Sequence, residues 1–361
     1  MGRASDHTEV DRKIRALTAL LRYPLSLPIH EPTPAIDLDM AEFACRRHRV
    51  GQLLFRAAQL DPQADISPAA QQILAEVYQH NIYLQLKQKA VVKNLHSVLS
   101  EQAIPCFFVK GGQLGAQLYD DPHLRLAKDV DAVVPTEHIA DALTVLSQAG
   151  YQFTRGSKTL RPKRDRWRLW ANKDMPFIDP KFGQFIELHE RLIHLEPAGL
   201  TARVIRFDGT ADAPPITHSP YVLYLILHAV LAYFRRLKWV VDLSSLLRRL
   251  PAPQKTEVFA LAKEFHCMQA LIAALQFTED YFPDTLDNDW KGLIAEHEIT
   301  EQTDILRDRF ARGLCGAQDG DIMTAPPMPY FPIPERVIFE QATMGYSTTL
   351  FRKAVGVLTR R

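Results

Sequence analysis

The chain has 361 residues, enough for two domains with their own cores, and its 47% hydrophobic and 24% charged content excludes a disordered protein. Its 43 basic and 42 acidic residues leave a formal charge of +1, so no global field marks nucleic acid or a membrane surface as the partner, and any such preference has to be local. Cys45, Cys106, Cys267 and Cys315 stand far apart without a Cys-x-x-Cys pair, which argues against a zinc site or disulfide framework and for a reducing compartment.

The charged start, MGRASDHTEVDRK, lacks the apolar stretch of a signal peptide, and a cytoplasmic protein is expected. From Asp11 to Tyr23, apolar residues Ile14, Leu17, Leu20 and Leu21 recur at helical spacing until Pro24 closes the segment. Met40 to Leu60 reads as a second helix, with Arg46, Arg47, His48 and Arg49 as a solvated turn in preference to a binding patch. Asp61-Pro62 ends it. Ser67-Pro68 opens a stretch nearly free of breakers up to Glu101, which predicts two long helices or one bent helix. It runs straight into Ile104, so these N-terminal helices are expected to pack against the sheet that begins there.

Ile104 to Val109 is an apolar run that predicts a buried strand. Lys110-Gly111-Gly112 ends it where a helix, Gln113 to Tyr119, begins. A loop with Asp120, Asp121, Pro122 and Arg125 returns the chain to a second strand, Lys128 to Val134. Alternation places Asp129 and Asp131 on one face and Val130, Ala132 and Val134 on the other. Pro135 to His138 starts a helix whose stripe of Ile139, Ala142, Leu143, Leu146 and Ala149 ends at Gly150. Strand, helix, glycine is the repeat of an α/β-type core.

Candidate strands at Tyr151 to Thr154 and Met175 to Ile178 flank Arg155 to Lys173, which sets eight basic residues against Asp165, with Trp167 and Trp170 interleaved. That segment fits either a polyanion contact, such as RNA, or a solvated hairpin tip anchored by its tryptophans. Phe185 to His189 follows as a strand with Phe185, Glu187 and His189 on one face. Pro214-Pro215 marks a boundary, and helices are expected from Ser219-Pro220 to about Thr303. The apolar run Pro220 to Phe234 spans 15 residues and contains His228. It falls short of the roughly 18 to 20 apolar residues a bilayer requires. His228 reads as a buried hydrogen-bonding residue, and Asp242 with Arg236 as a helix-surface or interdomain pair. Thr324 to Pro334 holds five prolines in eleven residues and predicts an extended strap before a helix with a basic end.

Each local signal also has a plain structural reading. Two carboxylates on one strand face suit divalent metal, or simply face water. Lys110-Gly111-Gly112 before a helix suits a phosphate, or is an ordinary turn in which glycine permits positive φ. Two roles are open to Arg125, contact with phosphates or a bidentate hold on a carboxylate. Two are open to His189, taking a proton or hydrogen-bonding Glu187, and the supporting one is preferred.

In combination, strand, Gly-Gly turn, short helix and Asp-x-Asp strand resemble the core signature of the DNA polymerase beta-like nucleotidyltransferase superfamily. Within it the chain is similar to the uncharacterised nucleotidyltransferase family, whose members read Lys-Gly, then Tyr-Asp-Pro, Arg and Asp-hydrophobic-Asp at about this spacing. The resemblance covers most of residues 40 to 250, including the helical half around Leu237 to Asp242. It implies an α+β fold in which a small mixed sheet is flanked by N-terminal helices and a C-terminal helical domain. The expected divisions are 1–95, 96–205, 206–323 and a proline-rich strap with terminal helix at 324–361. It implies a nucleotidyltransferase using two Mg2+ ions and a nucleoside triphosphate such as ATP. Asp129, Asp131 and Glu187 would be the catalytic and metal-binding carboxylates, with Asp179 as the alternative third one. Lys110, Gly111, Gly112 and Arg125 would bind the nucleotide, with His189 in support. The acceptor is left open among protein, RNA and small molecules, no membrane is involved, and a non-catalytic nucleotide-binding or scaffolding module is the competing reading.

Overall fold

The computed structural model describes residues 2–30, 32–154, 173–193, 199–205 and 213–316. Except for Lys173, the basic segment from Arg155, and the residues 324–361 expected to form a strap and terminal helix, lie outside these described residues. The described chain is helix-rich with one mixed sheet, an α+β fold as expected. Two compact units divide it, one of residues 2–81, 118–126 and 216–316 and one of residues 82–117 and 127–215, in each case among the described residues.

The first unit is helical. It contains α1 (Gly2–Leu21), α2 (Leu38–Glu42), α3 (Gly51–Leu60) and the first part of α4 (Pro68–Ser100). Met40 to Leu60 is therefore not one helix. A π-helical turn, Phe43–His48, and a left-handed Arg49 with φ 57° separate α2 from α3. Only part of the basic cluster is solvated: Arg46 is exposed and pairs with Glu42 at 2.9 Å, whereas tertiary partners draw Arg47 and His48 inward. His48 is fully buried and its Nδ1 accepts the Leu237 N–H at 3.0 Å, while Arg47 donates to the Arg235 and Leu314 carbonyls at 2.9 and 3.2 Å. No helix among the described residues is long and apolar enough to cross a membrane.

The second unit holds the sheet. Its strands are β1 (Phe107–Val109), β2 (Val130–Val133), β3 (Gln152–Phe153), β4 (Asp174–Ile178) and β5 (Phe185–His189), in the order β1-β2-β5-β4-β3. β2 and β5 run parallel and the other neighbours antiparallel. Between β1 and β2 lies α5 (Gly111–Leu118), and after β2 comes α6 (Ile139–Gln148). One sheet face is the core. Phe108, Val130, Ala132, Met175, Phe177, Ile186 and Leu188 pack against Val91, Leu95 and Leu99 of α4 and Ile139, Leu143 and Leu146 of α6. The stretch from Ser67 to Glu101, read from sequence as two helices or a bent one, is a single helix because nothing in it breaks the hydrogen-bond ladder. Burying this face commits the opposite face, by the two-residue period, to the odd-numbered residues of β2 and β5.

Candidate functional site

Those odd-numbered residues include Asp131, Glu187 and His189. The β2–β5 register sets Asp131 beside Glu187 and Val133 beside His189, so the three polar side chains project from adjacent positions on one face. His189 Nε2 lies 3.1 Å from Asp131 Oδ1 and 3.6 Å from Glu187 Oε2. One ligand atom from each of the three falls within 4.8 Å of the other two. Ligands around a small octahedral cation stand about 3 to 4.2 Å apart, a spacing close to that of these three ligand atoms. The donor set, two carboxylates and an imidazole, fits a divalent ion. Asp131 is nearly buried, whereas the Glu187 side chain retains 26% exposure and so faces what enters from solvent.

Lys110 completes the group from the end of β1. Its Nζ sits 3.0 Å from the same Asp131 Oδ1 that His189 reaches, and Val109, one residue earlier, is Asp131's partner across the β1–β2 ladder. Lys110 and Gly111 are both left-handed, with φ 62° and 57°. This double reversal turns the chain from strand into α5, whose first N–H groups point back toward the turn.

The charges support one another. Burial penalises the Asp131 carboxylate, but Lys110's charge and the His189 hydrogen bond outweigh it and hold the group far below the usual carboxylate range. For His189, burial and the charge of Lys173 push the pKa down, while hydrogen bonds to Asp131 and Glu187 push it up, and the net shift is upward. Lys173 is likewise left-handed, with φ 61°, and pairs with Asp174 at 2.8 Å. Burial opposes its charge, the carboxylates of Asp174 and Glu187 favour it, and its pKa is raised.

The other residues singled out from sequence have these local settings. Asp129 is half-buried, one residue before the β2–β5 ladder starts, and is not among the three gathered ligands. Its carbonyl and that of Ala127 are met by Gln88 Nε2 of α4 at 3.5 and 2.9 Å, which fixes the approach to β2. Asp179 builds the β4–β5 turn, its Oδ2 accepting the Lys181 and Phe182 N–H groups at 3.1 and 2.6 Å. Arg125 belongs to the helical unit. It is buried, and its Nε donates to Asp242 Oδ2 at 2.9 Å while the Tyr119 hydroxyl donates to Asp242 Oδ1 at 2.8 Å. Asp242 thus pairs with Arg125 instead of Arg236. His228 is half-buried among the rings of Tyr224 and Trp239.

The match to known proteins agrees with this geometry. The model of the uncharacterised nucleotidyltransferase family matches residues 35–283. The chain belongs to that family. No curated protein and no solved structure matches it. As a nucleotidyltransferase family member it carries, on the sheet face opposite the core, a largely buried Asp/Glu/His group compatible with a metal ion. From sequence His189 takes a supporting place, and its spacing of two from Glu187 on one strand puts it on the same face, within reach of Asp131.

Gly111 yields a direct test of the turn. A Cβ there meets no atom within 4 Å, so the cost of Gly111→Ala is conformational alone. The left-handed φ should cost about 1 to 2 kcal/mol of stability, read as a lower denaturation midpoint, with Gly111→Asn milder. An unchanged midpoint for Gly111→Ala would mean that the turn relaxes.

Proposed function

We propose that this chain is a Mg2+-dependent enzyme that moves a nucleoside monophosphate from a nucleoside triphosphate, ATP being one candidate, to an acceptor hydroxyl on a protein, an RNA or a small molecule. The observation that carries the reading is the meeting of Asp131, Glu187 and His189 beside the Lys110-Gly111-Gly112 turn, in a member of a nucleotidyltransferase family. Bound divalent ions would supply charge neutralisation at the α-phosphoryl oxygens and the departing pyrophosphate. Asp131, Glu187 and Asp129 are the carboxylates assigned to hold them, with His189 within reach as a further donor.

The chain's own groups have separable tasks. The α5 N-terminus receives phosphate oxygens with backbone N–H groups, and Gly112 lets the backbone come close. A side chain there would already press on Gln85, whose Oε1 lies 3.3 Å from the position of a Cβ. Lys110 neutralises phosphate charge. Glu187, the more exposed carboxylate, orients the acceptor hydroxyl at the edge of the site. Arg125 is given the holding role through its buried pair with Asp242. A cytoplasmic location belongs to the same reading, supported by four free cysteines.

Incubation with each α-labelled triphosphate, Mg2+ and a cell extract should label an acceptor. Labelling that persists in Asp129→Ala/Asp131→Ala would defeat the assignment. A second reading, a nucleotide-binding module without transfer, draws on the position of Asp129 outside the gathered ligands. It predicts nucleotide binding with no label transferred to any acceptor.

A further inference from the structure

Asp131 Oδ1 accepts two contacts, from Lys110 Nζ at 3.0 Å and from His189 Nε2 at 3.1 Å. The Lys110 and Asp131 side chains are only 12% and 7% exposed, so solvent screens their attraction little. A divalent cation ligated by Asp131 would stand next to the ammonium, and the two cations would compete for one carboxylate. Lys110 is also the residue immediately before Gly111, where α5 starts and phosphate oxygens would be received. Its flexible arm therefore has two anionic partners in reach, one built into the sheet and one arriving with substrate.

We propose that Lys110 is a displaceable counter-ion: it holds Asp131 until a triphosphate at the Gly111-Gly112 turn draws the ammonium away, so that metal and nucleotide bind cooperatively. This rests on the reading of the site as a nucleotidyltransferase centre and adds to it an order of assembly. The coupling is reciprocal, since whatever favours Lys110 on phosphate favours metal on Asp131. Lys110 thus contacts Asp131 and phosphate in turn, and its effect on metal affinity is readable without turnover.

The test is direct Mn2+ binding, measured by electron paramagnetic resonance with no nucleotide present. Lys110→Gln removes the ammonium, and Lys110→Gly removes it while suiting the left-handed φ, so at least one folded variant is expected, checked by circular dichroism. Both should bind Mn2+ at least about tenfold more tightly than the unaltered protein, because a competing cation is gone. Lys110→Arg should stay weak, and adding Asp131→Asn to Lys110→Gly should remove the gain. Equal or weaker Mn2+ binding by the Gln and Gly variants overturns the inference. If that happens while Asp131→Asn still weakens Mn2+ binding in the presence of a non-hydrolysable triphosphate analogue, the site assignment survives and only the Lys110 role is lost. If Asp131→Asn changes nothing with the analogue present, the site assignment itself fails.

Discussion

Asp131→Asn should lower nucleotidyl transfer by about a thousandfold or more, equivalent to ~4 kcal/mol of transition-state stabilisation, while the protein stays folded. The amide keeps the shape of the carboxylate but loses the charge that a metal ion, Lys110 and His189 all address. Stability should fall as well, because Lys110 and His189 lose their buried anion, so thermal melting has to accompany the rate measurement. Glu187→Gln is expected to reduce transfer by a similar factor with a smaller loss of stability, since Glu187 is the more exposed carboxylate. Asp129→Asn is the discriminating variant. A loss equal to that of Asp131→Asn places Asp129 among the ligands, whereas a loss of no more than about tenfold restricts the metal shell to the gathered Asp131, Glu187 and His189. Transfer undiminished in Asp131→Asn would remove the chemical basis of the proposed function.

The parts of this site that could be read from sequence are the local ones. Alternation along β2 and β5 separates the polar face from the apolar one, and the apolar residues found in the core are those the two-residue period assigns there. Lys110-Gly111-Gly112 marks the strand-to-helix turn because glycine tolerates left-handed backbone, but the left-handed φ of Lys110 itself has no local signature. That angle matters, since Lys110's ammonium ends on Asp131, a contact across the sheet. Similarly, the break in Met40 to Leu60 lacks a proline. It reflects His48 meeting the Leu237 N–H, 189 residues away, a tertiary demand that overrides helical propensity. Glu187 rather than Asp179 stands beside Asp131 for the reverse reason: Asp179 is consumed by a turn whose pattern is local, Asp179-Pro180 followed by Gly183 at φ 61°.

Asp242→Ala should be among the most destabilising single substitutions in the helical unit. It would leave the Arg125 guanidinium, which cannot shed its proton, buried without its carboxylate, and the Tyr119 hydroxyl without its acceptor. Breaking a buried pair from one side costs about 3 to 5 kcal/mol, a fall in melting temperature on the order of 10 °C. Tyr119→Phe removes one hydrogen bond only and should cost about 1 to 2 kcal/mol. The Tyr119 hydroxyl remains a donor at ordinary pH, because burial and the adjacent Asp242 charge raise its pKa well above the usual phenol value. Replacing the whole group together, Tyr119→Phe/Arg125→Met/Asp242→Leu, exchanges three polar partners for apolar volume and should recover most of the loss. The segment they fix, Leu118–Leu126, is further clamped by Ser245 on the Leu118 carbonyl, Lys238 on the Leu126 carbonyl, and Asn81 Nδ2 on the His123 and Arg125 carbonyls at 2.6 and 3.3 Å. Because these backbone contacts persist in the triple variant, its segment should keep its path. Near-equal melting temperatures for Asp242→Ala and the unaltered protein would show that the pair contributes little. A triple variant no better than Asp242→Ala would show that its value lies in the polar geometry itself.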